Sequence, residues 1–191
     1  MIAVLASFLL STNATPRELV ESCRAMIPAD VELGGRIVLR NRRGIPQAEY
    51  GYVLKRVGGK TDLAVKDEAG KDVPFEKAGR ILGTDVTWSD LTLDYLWWDD
   101  FAYDAARESE TVHGQRCSVV LLKKGERTVR VWVDRRTGAL MQAEELRGEK
   151  AVRRLWGTRL KKFDDRWVAS QLEVETLGSG HRTKITVEKL K

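Results

Sequence analysis

The chain has 191 residues, of which 42% are hydrophobic, and it carries two cysteines, two histidines and a net charge of +5. This length allows one domain with a core of its own. The sequence has no CxxC or HExxH motif, so it offers almost no ligands for a zinc site. Basic and acidic residues are interleaved, so a solvated surface is favoured over a nucleic-acid-binding stripe; we expect no nucleic-acid partner, no metal and no cofactor.

The N-terminal stretch MIAVLASFLLSTNATP has an apolar run from Ile2 to Leu10 and then a Thr12-x-Ala14 pattern. The run is too short to span a bilayer, and its pattern is typical of a secretory signal, although a basic residue before the run is missing. We predict a signal peptide at residues 1–14, with its first residues absent or its start codon misplaced, and a single exported domain at 15–191. The alternative is an N-terminal structural helix.

A one-sided amphipathic helix follows. Thr15 is placed to cap it, Pro16 to occupy its first position and Glu18 to complete a capping box, and Pro28 ends it. Leu19, Val20, Cys23, Met26 and Ile27 share one arc of the helical wheel. Cys23 could pair with Cys117 in an oxidising compartment, but the favoured interpretation is that both are small buried apolar residues.

Strand patterns with a period of two begin at Glu32 and continue to the C-terminus, interrupted by short turns such as NRRG, GG, KKGE, RTG and GSG. The segment from DEAGKDVP to Gly83 is ambiguous, and YDAARESETV is assigned to one strand. The whole pattern predicts a mainly β (α+β) fold: a strongly curved antiparallel sheet or half-open β-barrel of about ten or eleven strands, with helices covering its concave face.

The stretch VTWSDLTLDYLWWDD, residues 86–100, is predicted to form a helix that extends to Phe101. On a helical wheel Trp88, Leu91, Tyr95 and Trp98 fall on one side, and Val86, Leu93, Trp97 and Phe101 fall nearly opposite. Two apolar faces indicate apolar contacts on both sides: the sheet on one, and a second helix or a ligand on the other. The alternative is a helix simply buried in the core. The wheel predicts that Trp97 and Trp98 point to opposite sides.

The segments TDVTWSDL, HGQRCSVVLLKKG, VRVWVDRRTGALMQAEEL and HRTKITVEKL together resemble the outer-membrane lipoprotein-sorting proteins, the LolA-like family. The resemblance covers most of residues 15–191 and includes no catalytic signature. It implies a half-open barrel whose helices cover a hydrophobic cavity for acyl chains, and a monomeric periplasmic carrier that takes lipoproteins from an inner-membrane transporter to an outer-membrane acceptor. The family's carriers also have a strand arginine that bonds to the lid, a role that we assign to none of Arg36, Arg40 and Arg42.

Candidate acyl-binding residues combine the resemblance with the strand and helix patterns. The lid candidates are Trp88, Leu91, Tyr95, Trp97, Trp98 and Phe101 on the central helix and Leu19, Cys23 and Met26 on the first. The floor candidates are Ile37, Leu39, Val131, Val133, Leu172 and Val174. For each of them, ordinary core packing is the alternative. Trp132 and Trp156 fall on the other sheet face among arginines, either as a partly exposed docking patch or, as favoured, as cation–π cover.

Two other functions stay open at this stage. The same fold could serve as an envelope sensor or interaction module that carries no cargo. A hydrolase would need a nucleophile beside a base, and the GSGH motif has Ser179 near His181, but its position between two strands favours a turn. We therefore expect a non-enzymatic protein.

Overall fold

The structure is a computed structural model that describes residues 14–163 and 166–191, without the side chains of 166 and 167. Apart from Ala14, the predicted signal peptide lies outside the described residues. Within the described part, no helix is both long enough and apolar enough to cross a membrane.

Helix α1 spans Pro16–Ala25 and begins as its sequence predicts. Thr15 is the N-cap, its Oγ1 accepts from the Glu18 N–H at 3.3 Å, and the Glu18 carboxylate accepts from the Thr15 N–H at 2.6 Å. These bonds satisfy backbone donors that a helix start leaves free. Leu19, Val20 and Cys23 are buried on one side, so the amphipathic prediction is confirmed.

Eleven strands form one antiparallel sheet in the order β3-β2-β1-β11-β10-β9-β8-β7-β6-β4, with β5 also paired to β6. Sheet neighbours are also neighbours in sequence except where β1 pairs with β11 and where β4 and β5 share β6. The sheet does not close, so the predicted fold class is confirmed. The strands are β1 Val31–Arg40, β2 Pro46–Val57, β3 Lys60–Lys66, β4 Asp100–Tyr103, β5 Ser109–Val112, β6 Gln115–Lys124, β7 Arg127–Asp134, β8 Leu140–Arg147, β9 Lys150–Phe163, β10 Arg166–Thr176 and β11 Arg182–Leu190.

The prediction of one strand over residues 103–112 is wrong. Residues 104–108 turn between β4 and β5, and the Asp104 Oδ1 accepts from the Ala106 N–H at 3.1 Å. An aspartate that bonds to the backbone two residues later stabilises a turn in place of an extended strand. The turn brings both short strands to β6, one after the other.

The prediction of one helix over residues 86–101 is also wrong. Helix α2 covers only Trp88–Thr92, a 3₁₀ helix follows at Asp94–Trp97, and Phe101 lies on β4. Leu93 separates the two helices with a left-handed backbone, at φ 54° and ψ 35°. Tryptophan, tyrosine, threonine and aspartate are weak helix formers, so pairing of residues 100–103 with β6 competes successfully with helix continuation. We call residues 85–98 the lid.

The main core lies between one sheet face, here called the inner face, and the two helical covers, α1 and the lid. A second, small cluster lies on the outer face, where Trp132 packs with Val112, Cys117 and Val119. Cys23 belongs to the inner cluster and Cys117 to the outer one, and both are free thiols. The sheet separates them, so the less favoured alternative of a disulfide is wrong, and both occupy buried positions as the favoured interpretation expects.

Candidate functional site

The inner face and its covers bring together most of the predicted acyl-binding residues. They share one core cluster and are all 9% exposed or less: Leu19, Cys23, Ile37, Leu91, Tyr95, Trp98, Val131, Val133, Leu172 and Val174. Phe101 packs at the margin of this cluster. The floor candidates other than Leu39 therefore lie together in one apolar core.

Four predicted residues lie outside that cluster. Met26 is buried but separate from it, and Leu39 is half-buried. Trp88 stacks on Phe75 with ring centroids 6.4 Å apart, and Trp97 is 43% exposed. Because Trp98 is only 3% exposed, the two adjacent tryptophans do differ in surroundings. The difference arises because the 3₁₀ helix ends at Trp97 and the backbone of Trp98 is extended, and not because the two residues lie on opposite faces of one helix.

A buried arginine on the sheet holds the lid to the inner face. Arg153, on β9, donates to the carbonyl oxygen of Asp85 at 2.7 Å and to the carboxylate of Glu145 at 2.9 Å, and it forms an ion pair with Asp90 of α2. Asp90 also accepts from the Thr87 N–H at 2.7 Å, which caps α2. One guanidinium therefore joins the start of the lid to strands β8 and β9.

Asp85 anchors the same end of the lid to the neighbouring strands. Its carboxylate accepts from the Thr183 hydroxyl at 3.0 Å and from the Thr176 N–H at 3.2 Å. Its own N–H donates to the Thr183 oxygen at 3.0 Å. The N-terminal end of the lid is thus held to the sheet by the contacts of Arg153 and Asp85, and farther along the lid Arg56 and Arg24 donate to backbone carbonyl groups.

Charges around Arg153 stabilise its protonated form. Burial alone lowers the pKa of its guanidinium, but the charges of Asp90 and Glu145 outweigh burial, so the pKa lies above its ordinary value. Burial raises the pKa of Tyr95 well above its ordinary value, and its hydroxyl has no hydrogen-bond partner among the described residues. The guanidinium of Arg153 therefore stays charged beside a neutral phenol.

The space beneath the lid is small in this conformation. A cavity of about 20 Å³ lies between Ser89, Tyr95, Val129, Arg153 and Leu155. That volume has room for about one water molecule and no acyl chain. The structure therefore shows a closed form, in which the apolar side chains of the lid fill the inner face.

A larger cleft opens at the seam between α1 and the lid. It has a volume of about 520 Å³, and its lining includes Arg24, Arg56, Lys77, Trp88 and Trp97. The Arg56 guanidinium lies 4.4 Å from the Trp97 ring centroid, and the Lys77 amine lies 4.7 Å from that of Trp88. Cations and aromatic rings thus line this cleft together.

Sequence reasoning missed the arginines of both regions, although a signal for them was present. Arg153 is two residues from buried Leu155, and Arg56 is two residues from buried Leu54. Strand side chains alternate between faces, so each arginine lies in phase with the core. Arg153 bonds to the lid from β9, whereas Arg36, one of the arginines considered on the early strands, binds Glu49 and Glu188 at the surface.

The other sequence candidates have simple contacts. Trp132 is 1% exposed, so a partly exposed docking patch there is wrong; its indole donates to Glu110 at 2.9 Å. Trp156 is half-buried beneath Arg182, at 5.1 Å, as cation–π cover predicts. Ser179 Oγ accepts from the backbone N–H of His181 at 3.0 Å in an exposed turn. That contact is a turn bond to the backbone, not a nucleophile–base pair.

Comparisons with known proteins place the chain in a family and confirm its fold. Residues 73–191 match the model of a family described as "Uncharacterized protein". The chain belongs to this family. A search of curated proteins finds no match.

Solved structures with the same fold cover nearly the whole chain. A LolA superfamily protein from Nitrosomonas europaea has a TM-score of 0.70 at 11% identity, with 93% of each chain covered. An outer membrane lipoprotein-sorting protein domain from Vibrio parahaemolyticus has a TM-score of 0.65 at 16% identity, covering 91% of this chain and 90% of the other. A DUF1329 family protein from Desulfovibrio piger has a TM-score of 0.65 at 16% identity, with 93% of each covered. This chain therefore has the LolA-like fold that the resemblance of its sequence predicts.

Proposed function

We propose that this protein is a non-enzymatic lipid or lipoprotein carrier of the periplasm, which holds acyl chains between the inner face and the lid. The observation that carries the proposal is the construction of the lid. Its underside supplies apolar side chains to the core, and its polar ties to the sheet are side-chain contacts, those of Arg153, Asp85 and Arg56. Such a cover can leave the sheet without unpairing any strand.

The closed form fits a carrier whose ligand replaces the lid. Leu91, Tyr95, Leu96 and Trp98 are buried against the inner face, and an acyl chain of similar apolar character could take their place. Burial of a methylene contributes about 0.8 kcal/mol, so about eight methylenes contribute about 6 kcal/mol. This contribution offsets part of the cost of opening, which includes the rupture of the polar bonds of the lid and the exposure of its apolar side chains.

The LolA-like fold supports the assignment of ligand and route. By that likeness, the chain would receive acylated cargo from an inner-membrane donor and deliver it to an outer-membrane acceptor. We further propose that the protein is a monomer with a single domain at residues 15–191 and a signal peptide at residues 1–14.

The proposal is tested by quenching of tryptophan fluorescence with an acyl chain that carries bromine atoms. We expect the brominated chain to quench the wild-type protein, because Trp98 lies under the lid. Trp98→Phe should reduce the quenchable fraction. Trp156→Phe, the same substitution on the outer face, should leave that fraction unchanged.

Two results would contradict the carrier assignment. Absence of quenching, together with absence of acyl chains in the mass spectrum of protein isolated from the periplasm, excludes an acyl site under the lid. Equal loss of quenching in both variants would place the ligand elsewhere. The sensor or interaction-module alternative predicts the first of these results.

A further inference from the structure

Among the described side chains, three arginines have an exposed fraction of 8%: Arg56, Arg130 and Arg153. Two of them are neutralised by two carboxylates each. Arg130 contacts Asp104 at 2.6 Å and Glu144 at 3.3 Å, and Arg153 pairs with Asp90 and Glu145. Arg56 forms no ion pair within residues 14–163 and 166–191.

The contacts of Arg56 are all neutral. Its Nε donates to the Thr61 hydroxyl at 3.3 Å, one terminal nitrogen donates to the Thr92 carbonyl at 3.1 Å, and its guanidinium covers the Trp97 ring. Burial lowers the pKa of Arg56, in contrast to Arg153. A buried charge without a counter-charge is destabilising, so its retention requires a reason other than stability of the free protein.

Two further cations line the same cleft and also lack carboxylate partners in the described part of the chain. Arg24, in the last turn of α1, donates to the carbonyls of Leu96 at 2.5 Å and Trp98 at 3.1 Å. Lys77 contacts the ring of Trp88. Three unpaired cations in one cleft create a positive potential at the seam between the two covers.

Asp94 is the acidic residue in the lining of this cleft. Its Oδ1 is buried and has no donor among the described residues, and it forms no ion pair with Arg56. The cleft therefore presents three cations without a carboxylate partner and one carboxylate oxygen without a donor among the described residues. A phosphate next to a hydroxyl group has complementary chemistry, since its oxygens accept from guanidinium groups and its hydroxyl can donate.

We propose that this cleft binds the phosphate of a glycerophosphate head group, with Arg56 as its main anchor and Arg24 and Lys77 as its other cations. The proposal rests on the proposed function for the position of the acyl tail, which would pass from the cleft under the lid. It narrows the ligand class from acyl chains in general to anionic phospholipids. A fully acylated but uncharged cargo would leave the cleft unused.

The test compares two ligands that share a tail and a glycerol unit, 1-oleoyl lysophosphatidic acid and 1-monooleoylglycerol, below their micelle-forming concentrations. We expect the wild-type protein to bind the phosphate ligand at least tenfold more tightly. Arg56→Met should abolish that preference, so that the two ligands bind with equal affinity. The matched control is Lys55→Met, which removes the same charge from the next residue of β2, where Lys55 pairs with Glu32 at 3.0 Å on the exposed side.

A second variant keeps the test valid if Arg56→Met does not fold. Lys77 is exposed, and Lys77→Met should reduce the phosphate preference severalfold. Competition by inorganic phosphate distinguishes the sources. If phosphate alone displaces the phosphate ligand at equal concentration, the cleft is a site for the free anion, and the claim for a lipid head group is wrong.

The outcomes also separate this proposal from the carrier assignment. Equal binding of both ligands, unchanged in Arg56→Met, overturns the head-group site and leaves the acyl site in place. Binding of neither ligand overturns the carrier assignment as well. Binding of the phosphate ligand with equal loss in Arg56→Met and Lys55→Met would show a general charge effect and overturn the site.

Discussion

Removal of the Arg153 guanidinium should loosen the lid without altering the apolar floor beneath it. The substitution Arg153→Met keeps most of the side-chain volume and removes the bonds to Asp85, Asp90 and Glu145. Breaking a buried ion pair from one side costs about 3–5 kcal/mol. Asp90 keeps its bonds to Thr87, so we expect a loss near the lower limit, about 3 kcal/mol.

The effect on acyl-chain affinity depends on how much of this free energy is lost from closure of the lid and how much from stability of the whole domain. If all of it fell on lid closure, the open population would rise by about two decades, at 1.4 kcal/mol for each factor of ten. While the lid is mostly closed, apparent affinity rises in proportion to that population. Some of the loss will fall on global stability, so we expect an increase in acyl-chain affinity of roughly tenfold to a hundredfold.

The assay is an equilibrium titration with a fluorescent fatty acid, combined with urea unfolding of the same preparations. The control is Arg154→Met, the adjacent residue, whose side chain lies on the outer face, pairs with Glu144 at 2.8 Å and is 39% exposed. Glu144 keeps its contact with Arg130, so the control should cost less than about 1 kcal/mol and leave affinity unchanged. If both variants fold and bind the fatty acid equally, Arg153 does not hold a functional lid.

Three further predictions concern the sheet and its buried groups. Gly35→Ala should destabilise the fold by about 1–3 kcal/mol in urea unfolding, because a Cβ there would lie 1.8 Å from the Thr186 carbonyl oxygen, whereas Gly51→Ala meets no atom within 4 Å and should be close to neutral. Burial raises the pKa of Cys23 to about 12 and of Cys117 to about 11, so neither thiol should react with a thiolate-specific reagent at pH 8 unless denaturant is added; rapid native reaction would show that the core opens. Burial is the main cause of the raised pKa of Glu173. Its ionised form therefore destabilises the folded protein once the pH exceeds the unfolded-state pKa near 4.5. Glu173→Gln should raise the melting temperature at pH 7 but not at pH 4.

Regular alternation made the sheet predictable. Strands β6 to β11 follow the period-two pattern and the turn residues between them, and the GG and KKGE turns join strands as expected. The lid was harder because its helical periodicity competes with a strand pairing to β6 that is remote in sequence. Apolar spacing alone could not show that Leu93 adopts a left-handed conformation and divides the stretch.

The sequence alone determined the antiparallel class, the capped first helix, and the apolar inner face marked by Ile37, Val131 and Leu172. These features follow from local propensity and from side-chain alternation, which act over a few residues. Only the tertiary structure decided that Arg153 pairs with the lid while Arg56 is buried without a carboxylate partner among the described residues. On its own strand, each arginine lies on the side that faces the core. Whether it has a partner there depends on strands and turns that are far away in the sequence.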